Sequence, residues 1–303
     1  MHFAHSRPIV RADSPSFTAA WVAAMRGLGA FLPERLRLVD DPYGLRFARP
    51  VRALRDDSSV EHRGRRTAPL WLRGYLRRFA VYMQLRTRVI DDDVAAFAAA
   101  GGRQLVLLGA GFDCRAWRLP ALADVTVYEV DHAATQAKKR SIMAAERTSA
   151  RVVFVPWDFE HEPLSALPDR LKREGHDPRA ATMTILEGVV MYLTESALDA
   201  TFACVRSYSA PGSPLAVTYM DQELIDRDSK GLTLQHAAFR LFGEPLRSGF
   251  DPAAFSGWLQ ARGFRLERDE SAAGSGSRLL GADRTAARGL RVKLTHFALA
   301  TRV

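Results

Sequence analysis

Short apolar runs alternate with amphipathic stretches through the middle of the chain. The apolar runs predict buried strands at 104–109, 125–130, 151–155, 181–186 and 214–219. Helical spacing of apolar residues predicts helices between them at 132–147, 163–174 and 194–209. This alternation predicts an α/β fold with a doubly wound, Rossmann-like and mostly parallel sheet, whose crossovers are right-handed.

The first hundred residues carry helical patterns and predict an N-terminal helical cap over 1–100. Apolar residues recur at helical spacing across 13–48, where Asp13 or Ser14 is a suitable cap. A second stripe predicts a long helix over 70–100, and the polar, arginine-rich segment 49–68 has the composition of a mobile connection.

The alternation of strand and helix patterns stops after residue 220. The predicted α/β core therefore covers 101–220. Residues 221–250 are charged and then amphipathic. Because ligands bind at the carboxyl ends of strands in such sheets, we interpret this segment as a helical lid. A C-terminal part of the core, 251–303, contains a predicted helix at 251–262, a Gly/Ser-rich loop at 271–277 and an antiparallel edge strand at 292–300.

Composition narrows the class of protein. The 303 residues include 43 Lys and Arg against 34 Asp and Glu, a formal net charge of +9. These basic residues are dispersed, which favours a solvated surface over a nucleic-acid site. No apolar run reaches the length of a membrane span, and Cys114 and Cys204 are too few for a disulfide framework. We therefore expect a cytoplasmic protein with reduced thiols and no membrane partner.

Candidate chemistry lies where the predicted strands end. Gly109-Ala110-Gly111 follows the first strand, and Glu129 and Asp131 close the second. Glycines allow a ligand to approach the backbone, and an acid about 20 residues later suits ribose hydroxyls. Cys114 stands where a dinucleotide fingerprint needs a third glycine, which favours a cofactor without phosphates. Asp158 and Glu187 follow the third and fourth strands, and Asp158 is suited to accept from an adenine amino group.

Four segments together resemble the leucine carboxyl methyltransferase-like family of S-adenosylmethionine-dependent O-methyltransferases. They are Pro69-x-x-x-Arg73-Gly74-Tyr75, Leu108-Gly-Ala-Gly-Phe-Asp-Cys-Arg115, Tyr128-Glu-Val-Asp131 and Glu187-Gly-Val-Val-Met-Tyr-Leu193. Asp41-Pro42-Tyr43 also resembles the family's N-terminal turn. Cys114 departs from the Thr or Ser that is usual there.

The resemblance implies a class I methyltransferase fold and roles for individual residues. It implies that Arg73 contacts the methionine carboxylate of S-adenosylmethionine and that Glu187 supports its amino end. Asp131 is our candidate for the ribose, and Glu129 for a loop or the cofactor's amino group. Further expected cofactor contacts come from neighbouring positions: Gly109, Ala110, Gly111, Asp113, Asp158, Phe159 and Gly188.

The expected reaction is attack of an acceptor oxygen on the sulfonium methyl, which leaves S-adenosylhomocysteine. A carboxylate is ionised at neutral pH and needs no general base, whereas a hydroxyl needs one. Tyr192 and His236 are the catalytic candidates, and His132 is a second histidine to test. The scattered histidines and cysteines predict no metal site.

Alternative functions are a nicotinamide-dependent oxidoreductase and a non-catalytic binding protein of the same fold. We expect a small-molecule acceptor, with secondary metabolism as one source. The sequence does not name this acceptor, and it allows a monomer or a dimer.

Overall fold

The computed structural model describes residues 16–47, 70–229, 246–281 and 294–303, with the side chains at 70–73 and 227–229 outside that description. One seven-stranded sheet lies at its centre. Its strands are β1 (Gln104–Leu108), β2 (Thr126–Asp131), β3 (Arg151–Pro156), β4 (Thr182–Leu186), β5 (Pro214–Met220), β6 (Phe264–Ser271) and β7 (Thr295–Arg302). The five strands that the apolar runs predict are all present, with their bounds shifted by one residue or less.

The strands follow the order β3-β2-β1-β4-β5-β7-β6. β1 to β5 are parallel, and β7 pairs antiparallel with both β5 and β6. The doubly wound α/β prediction is therefore confirmed, with one correction at the edge. An antiparallel edge strand is present, as predicted, but it is β6, and β7 lies inside the sheet between β5 and β6.

The helices are α1 (Phe17–Gly27), α2 (Leu70–Ala99), α3 (Arg115–Arg118), α4 (Ala133–Met143), α5 (Leu167–Arg173), α6 (Glu195–Tyr208), α7 (Gln222–Ser229), α8 (Pro252–Gln260) and α9 (Ala272–Leu280). One buried cluster joins α1, α2 and α4 to one face of the sheet. A second cluster joins α5, α6 and α8 to the opposite face. The sheet is thus covered on both sides, as a parallel sheet requires.

Two assignments from sequence, one of a helix and one of a loop, are wrong. Residues 13–48 do not form one helix within the described part, because α1 ends at Gly27 and short 3₁₀ turns follow to Arg46. The Gly/Ser-rich segment 271–277 is not a loop, since it forms most of α9. Ser271 caps α9 by accepting from the Gly274 amide at 3.1 Å, and Ala272 lies in one buried cluster with Val89 of α2.

The predicted lid is described only at its two ends. α7 begins directly after β5, and the chain returns at Phe250, whose amide donates to the Met220 carbonyl at 2.9 Å. Residues 230–245, which include His236, lie outside the described residues. Among the helices that the structure describes, none has the length and apolar character needed to cross a membrane.

Candidate functional site

A cavity of about 750 Å³ opens at the carboxyl ends of the parallel strands. The strand order reverses between β1 and β4, and in such sheets the crevice above that reversal is where ligands bind. Its walls come from the loop after β1, the tips of β2 and β4, helix α1 and the first half of α2. The volume is in the range of small-molecule sites.

The loop after β1 brings backbone to the cavity wall. Gly109 and Gly111 adopt positive φ values of 73° and 52°, a region that disfavours other residues. The amides of Gly109 and Ala110 donate to the Val130 carbonyl at 2.9 and 3.2 Å, which fixes the loop against β2. A Cβ on Gly111 would lie 3.1 Å from the Ala19 Cβ. Both glycines are therefore needed for this turn and for its close contact with α1.

Asp131 lies at the tip of β2 and lines the cavity. Its carboxylate accepts the Gly111 amide at 2.6 Å and the His132 amide at 2.7 Å. Burial raises the pKa of this carboxyl above its ordinary value, although the two backbone hydrogen bonds act in the opposite direction. The sequence prediction placed Asp131 at this wall, and the geometry leaves its oxygens able to accept further hydrogen bonds.

Glu187 lies at the tip of β4, between two arginines. The Arg86 Nε donates to one carboxylate oxygen at 2.7 Å, and the Arg115 Nη1 donates to the other at 2.7 Å. Burial alone would raise the pKa of Glu187, but the two guanidinium groups hold it well below its usual range. Glu187 is therefore an anion at any physiological pH.

Arg115 is the centre of a buried ion network. Its guanidinium group contacts Glu187, Asp113 and Asp91, and Arg118 binds the same Asp91. Burial opposes its charge, but these carboxylates raise the pKa of Arg115 well above its ordinary value. The network ties the glycine loop to β4 and α2. Asp113 lines the cavity, as predicted, but its carboxylate is engaged by Arg115.

Arg86 is a cavity residue that the sequence analysis missed. It lies on the buried stripe of α2 at helical spacing from Phe79 and Met83, and a charge at such a position is the signal that could have identified it. Its two terminal nitrogens make no hydrogen bond to the described residues. The resemblance implies that Arg73 contacts the methionine carboxylate of the cofactor. The Arg73 side chain lies outside the described residues, so this contact stays a prediction.

Helix α1 covers the glycine loop. The Ser16 amide donates to the Thr135 Oγ1 at 3.3 Å, which joins the start of α1 to α4. Arg26 pairs with buried Asp41 and donates to the Phe112 carbonyl at 2.8 Å. The Asp41-Pro42-Tyr43 turn, noted in the sequence for its resemblance, thus holds α1 over the cavity.

Two predicted cofactor contacts lie away from the cavity wall. Glu129 is buried beneath the loop, where Lys139 binds it at 2.6 Å. Asp158 lies on the surface and pairs with His161 at 2.9 Å. Strand alternation predicted that Glu129 and Asp131 share a face, but only the residue at the strand tip lines the cavity.

Several other predicted residues do line the cavity. They are Phe159, Gly188, Tyr192 and His132, together with the three residues of the glycine turn. Cys114 is buried, and its thiol contacts the Phe112 carbonyl at 3.6 Å. Within the described parts of the chain, no group of three or more His, Cys, Asp or Glu is placed to hold a metal ion.

The chain is similar in sequence to known methyltransferases. Residues 19–206 match the family model for leucine carboxyl methyltransferase. A Streptomyces coelicolor protein, provisionally named an S-adenosyl-L-methionine-dependent methyltransferase, is 37% identical over 66% of this chain and 64% of its own length. A Mycolicibacterium gilvum protein with the same provisional name is 34% identical over 78% of this chain and 73% of its own.

Solved structures support the fold. A DUF574-family protein from Streptomyces avermitilis matches with a TM-score of 0.60 at 16% identity, covering 97% of this chain and all of that one. A Thermobifida fusca protein, provisionally described as a methyltransferase, matches with a TM-score of 0.52 at 19% identity, over 74% of this chain and 82% of that one. The sheet is that of the class I methyltransferases.

The chain spans 62–66% of the length of three relatives from Streptomyces and Frankia. The family match nevertheless covers the α1 to α6 region, which contains the glycine loop, Asp131 and Glu187. The chain belongs to the leucine carboxyl methyltransferase family.

Proposed function

We propose that this protein is an S-adenosylmethionine-dependent methyltransferase that methylates an oxygen of a small molecule. One observation carries the proposal. The glycine loop, the Asp131 carboxylate and the Glu187–Arg86 pair line a single cavity at the strand tips, in a chain of this family.

Each polar group of the cofactor has a suitable partner among the cavity residues. The Asp131 carboxylate suits the ribose diol, which needs an acceptor. Glu187 is held as an anion and suits the ammonium of the methionine end, while the terminal nitrogens of Arg86, which bond to none of the described residues, suit its carboxylate. Phe159 lies half exposed at the cavity wall and offers a ring face for the adenine. None of these contacts requires a phosphate, which agrees with Cys114 at the third glycine position.

When bound, S-adenosylmethionine supplies a methyl group on a positively charged sulfur. The chain's own residues bind and orient the two reactants, since the reactive group belongs to the cofactor. Helix α1 covers one side of the glycine loop, because Ala19 lies against Gly111 and Arg26 donates to the Phe112 carbonyl.

The carboxylates that line the cavity are already engaged by other groups, which makes them poor general bases. This favours an acceptor that is already ionised and needs no base. Asp113 and Glu187 are ion-paired with arginines, and Asp131 is hydrogen-bonded to two amides. His132 is the only histidine of the described residues that lines the cavity, and it lies on the β2 side. A carboxylate acceptor would form its O–CH₃ bond as the C–S bond breaks towards sulfur, with no proton transferred. We therefore favour a carboxylate over a hydroxyl.

Isothermal titration calorimetry with three ligands tests the proposal. S-adenosylmethionine and S-adenosylhomocysteine should bind the full-length protein with one-to-one stoichiometry, and NAD⁺ should not. Absence of binding by both sulfur ligands at millimolar concentration would overturn the proposal. Tighter binding of NAD⁺ would support the oxidoreductase alternative.

A further inference from the structure

The cavity continues past the tips of β1, β2 and β4. We call this continuation the acceptor half and define it by Tyr75, Arg78, Phe79 and Tyr82 on α2, Met220 at the end of β5 and Thr295 at the start of β7. β5 and β7 pair through Met220 and Thr295, so these two residues form its floor.

The topology separates this half from the cofactor's groups. If the ribose lies at Asp131 on β2 and the amino-acid end at Glu187 on β4, the volume over β5 and β7 is left for the second reactant. This step depends on the proposed function. It follows from the strand order, in which β5 and β7 lie on the side of β4 opposite to β2.

The charges of the two halves differ. The carboxylates that line the cavity, Asp113, Asp131 and Glu187, all belong to the β1, β2 and β4 tips. Arg78 lines the acceptor half, is exposed, and has no ion pair or hydrogen bond to the described residues. Within the described part of the chain, the acceptor half therefore offers a positive charge without a counter-ion.

A buried hydroxyl in this half also lacks a partner among the residues that the structure describes. The Thr295 Oγ1 is inaccessible to solvent and makes no hydrogen bond to the described residues, whereas Thr295 as a whole is 8% exposed and lines the cavity. A buried polar group without a partner is costly, but this oxygen is closed to the cavity, so recognition of the acceptor rests on Arg78 and on the aromatic wall.

Aromatic rings form the wall between these polar groups. The Tyr75 and Phe79 rings are nearly parallel, with centroids 6.3 Å apart, and the Phe79 and Tyr82 centroids are 6.1 Å apart. Tyr82 in turn stacks on Phe297 of β7 at 6.3 Å, which fixes its orientation. This wall suits a flat ring system by stacking and by burial of apolar area.

Helix α2 separates the two arginines that line the cavity from its side. Arg78 precedes Arg86 by eight positions on α2, which corresponds to about 12 Å along the helix axis. Arg86 marks the cofactor end through its contact with Glu187. A group bound by Arg78 therefore lies towards the end of α2 that is distant from the contact between Arg86 and Glu187.

We propose that the acceptor half binds a flat aromatic acid that carries a second anionic group, which Arg78 binds at the end distant from the methylated oxygen. The rings of the acceptor lie along Tyr75, Phe79 and Tyr82. Arg78 is thus a specificity-determining residue that selects doubly anionic acceptors over singly anionic ones.

The test compares two probes on protein loaded with S-adenosylhomocysteine: naphthalene-2,6-dicarboxylate, with an anion at each end, and 2-naphthoate, with one. The wild type should bind the dicarboxylate about tenfold more tightly, the contribution expected of one charge-assisted hydrogen bond. Arg78→Gln should abolish that preference. Arg77→Gln should preserve it, because the neighbouring Arg77 is equally exposed but does not line the cavity.

The outcomes separate this inference from the proposed function. Binding of S-adenosylhomocysteine is measured first in each variant, and its absence from the wild type would refute the proposed function itself. With that binding intact, three results would overturn the inference alone: equal affinities of the wild type for the two probes, an undiminished preference in Arg78→Gln, or no binding of the dicarboxylate.

Discussion

Single residues at the strand tips determine what the cavity can bind. Asp131 and Glu187 have opposite electrostatic settings, since burial raises the pKa of Asp131 whereas two arginines hold that of Glu187 low. Asp131 is thus suited to accept hydrogen bonds from a diol. Glu187 stays ionised and is suited to bind a cationic group. The two carboxylates are suited to different ends of one ligand.

The Asp131→Asn variant tests the ribose contact. The amide retains the shape of the side chain but replaces one acceptor oxygen by a donor, so S-adenosylhomocysteine should bind at least about tenfold more weakly. Calorimetry at pH 7.5 measures this loss. The matched control is Asp124→Asn, an exposed acid just before the opposite end of β2, which should leave the affinity unchanged. An equal affinity in Asp131→Asn and wild type would remove Asp131 from the site.

The Arg86→Lys variant tests the amino-acid end. Lysine keeps the charge but loses the fork that binds Glu187 and a second carboxylate together, so cofactor affinity should fall about tenfold. Arg88→Lys is the control, because Arg88 is exposed and pairs with Asp92 on the surface at 2.8 Å. A comparable loss in Arg73→Lys alone, with Arg86→Lys unchanged, would favour the contact that the resemblance implies for Arg73.

Sequence reasoning identifies residues whose role follows from their place along the chain. Gly109, Asp131 and Glu187 were predictable because each follows an apolar strand. Arg86 and Arg115 were not assigned cavity or network roles, since their partner Glu187 lies 101 and 72 positions away and only the folded chain brings them together. Glu129 shows the converse. Its place on β2 predicted a position at the cavity wall, but Lys139 holds it beneath the glycine loop.

At the scale of elements, small residues allow α1 and the turn after Asp41 to pack closely. A Cβ on Gly44 would lie 2.1 Å from the Ala23 carbonyl oxygen and 2.9 Å from the Gly27 amide nitrogen. These neighbours are backbone atoms, which move only if the helix or the turn moves. The contact between α1 and the turn therefore depends on glycine at this position.

Gly44→Ala should separate the turn from α1 and lower the free energy of unfolding by about 2–3 kcal/mol, the usual cost of overpacking. Gly257→Ala is the matched change, since a Cβ at this exposed position of α8 meets nothing within 4 Å. It should stabilise the protein by about 0.5–1 kcal/mol. Urea denaturation measures both, and equal stability of the two variants would contradict the close packing of α1.

The Glu129–Lys139 pair joins β2 to α4 within the core. Burial raises the pKa of Glu129 to about 7, although Lys139 acts in the opposite direction. Since this folded-state pKa lies above the unfolded value, the carboxyl's contribution to stability is full at low pH and declines as pH rises from about 4.5 through 7.

Lys139→Met should therefore destabilise the protein little at pH 5 and by about 3–5 kcal/mol at pH 8, where an unpaired buried carboxylate would have to ionise. The double variant Glu129→Met/Lys139→Met should recover most of that loss at pH 8, because it removes both charges. Thermal unfolding at the two pH values distinguishes these cases. A loss that does not change with pH would show that Glu129 is not the titrating group.

Element prediction failed where tertiary contacts override local composition. The Gly/Ser-rich segment of α9 resembles a loop, yet it is helical because Ala272 and Leu279 pack near Val89 of α2. β6 carries exposed Arg265 and Glu267 and lacks a clear apolar alternation, as an edge strand can. Neither the position of β7 nor its two partners follows from its own residues.

At the scale of the whole molecule, the cavity is built from segments that are distant in the chain. Its walls combine α1, α2, the tips of β1, β2, β4 and β5, and the start of β7. Occupation of the cavity should therefore stabilise the chain as one unit.

S-adenosylhomocysteine at a concentration 100 times its Kd should stabilise the protein by about 2.7 kcal/mol and raise the Tm by several degrees. NAD⁺ at the same concentration should leave the Tm unchanged. Differential scanning fluorimetry provides the measurement, and a Tm that rises with NAD⁺ alone would favour the oxidoreductase.

The interior position of β7 has a consequence for biosynthesis. β6 leaves the ribosome before β7, the strand that joins it to β5, so it has no hydrogen-bonding neighbour in the sheet until residues 295–302 have emerged. The parallel half of the sheet can form during translation, whereas the antiparallel half has to wait for β7. In that interval the edge of β5 is open, and it is there that a nascent chain of this protein would first need a chaperone.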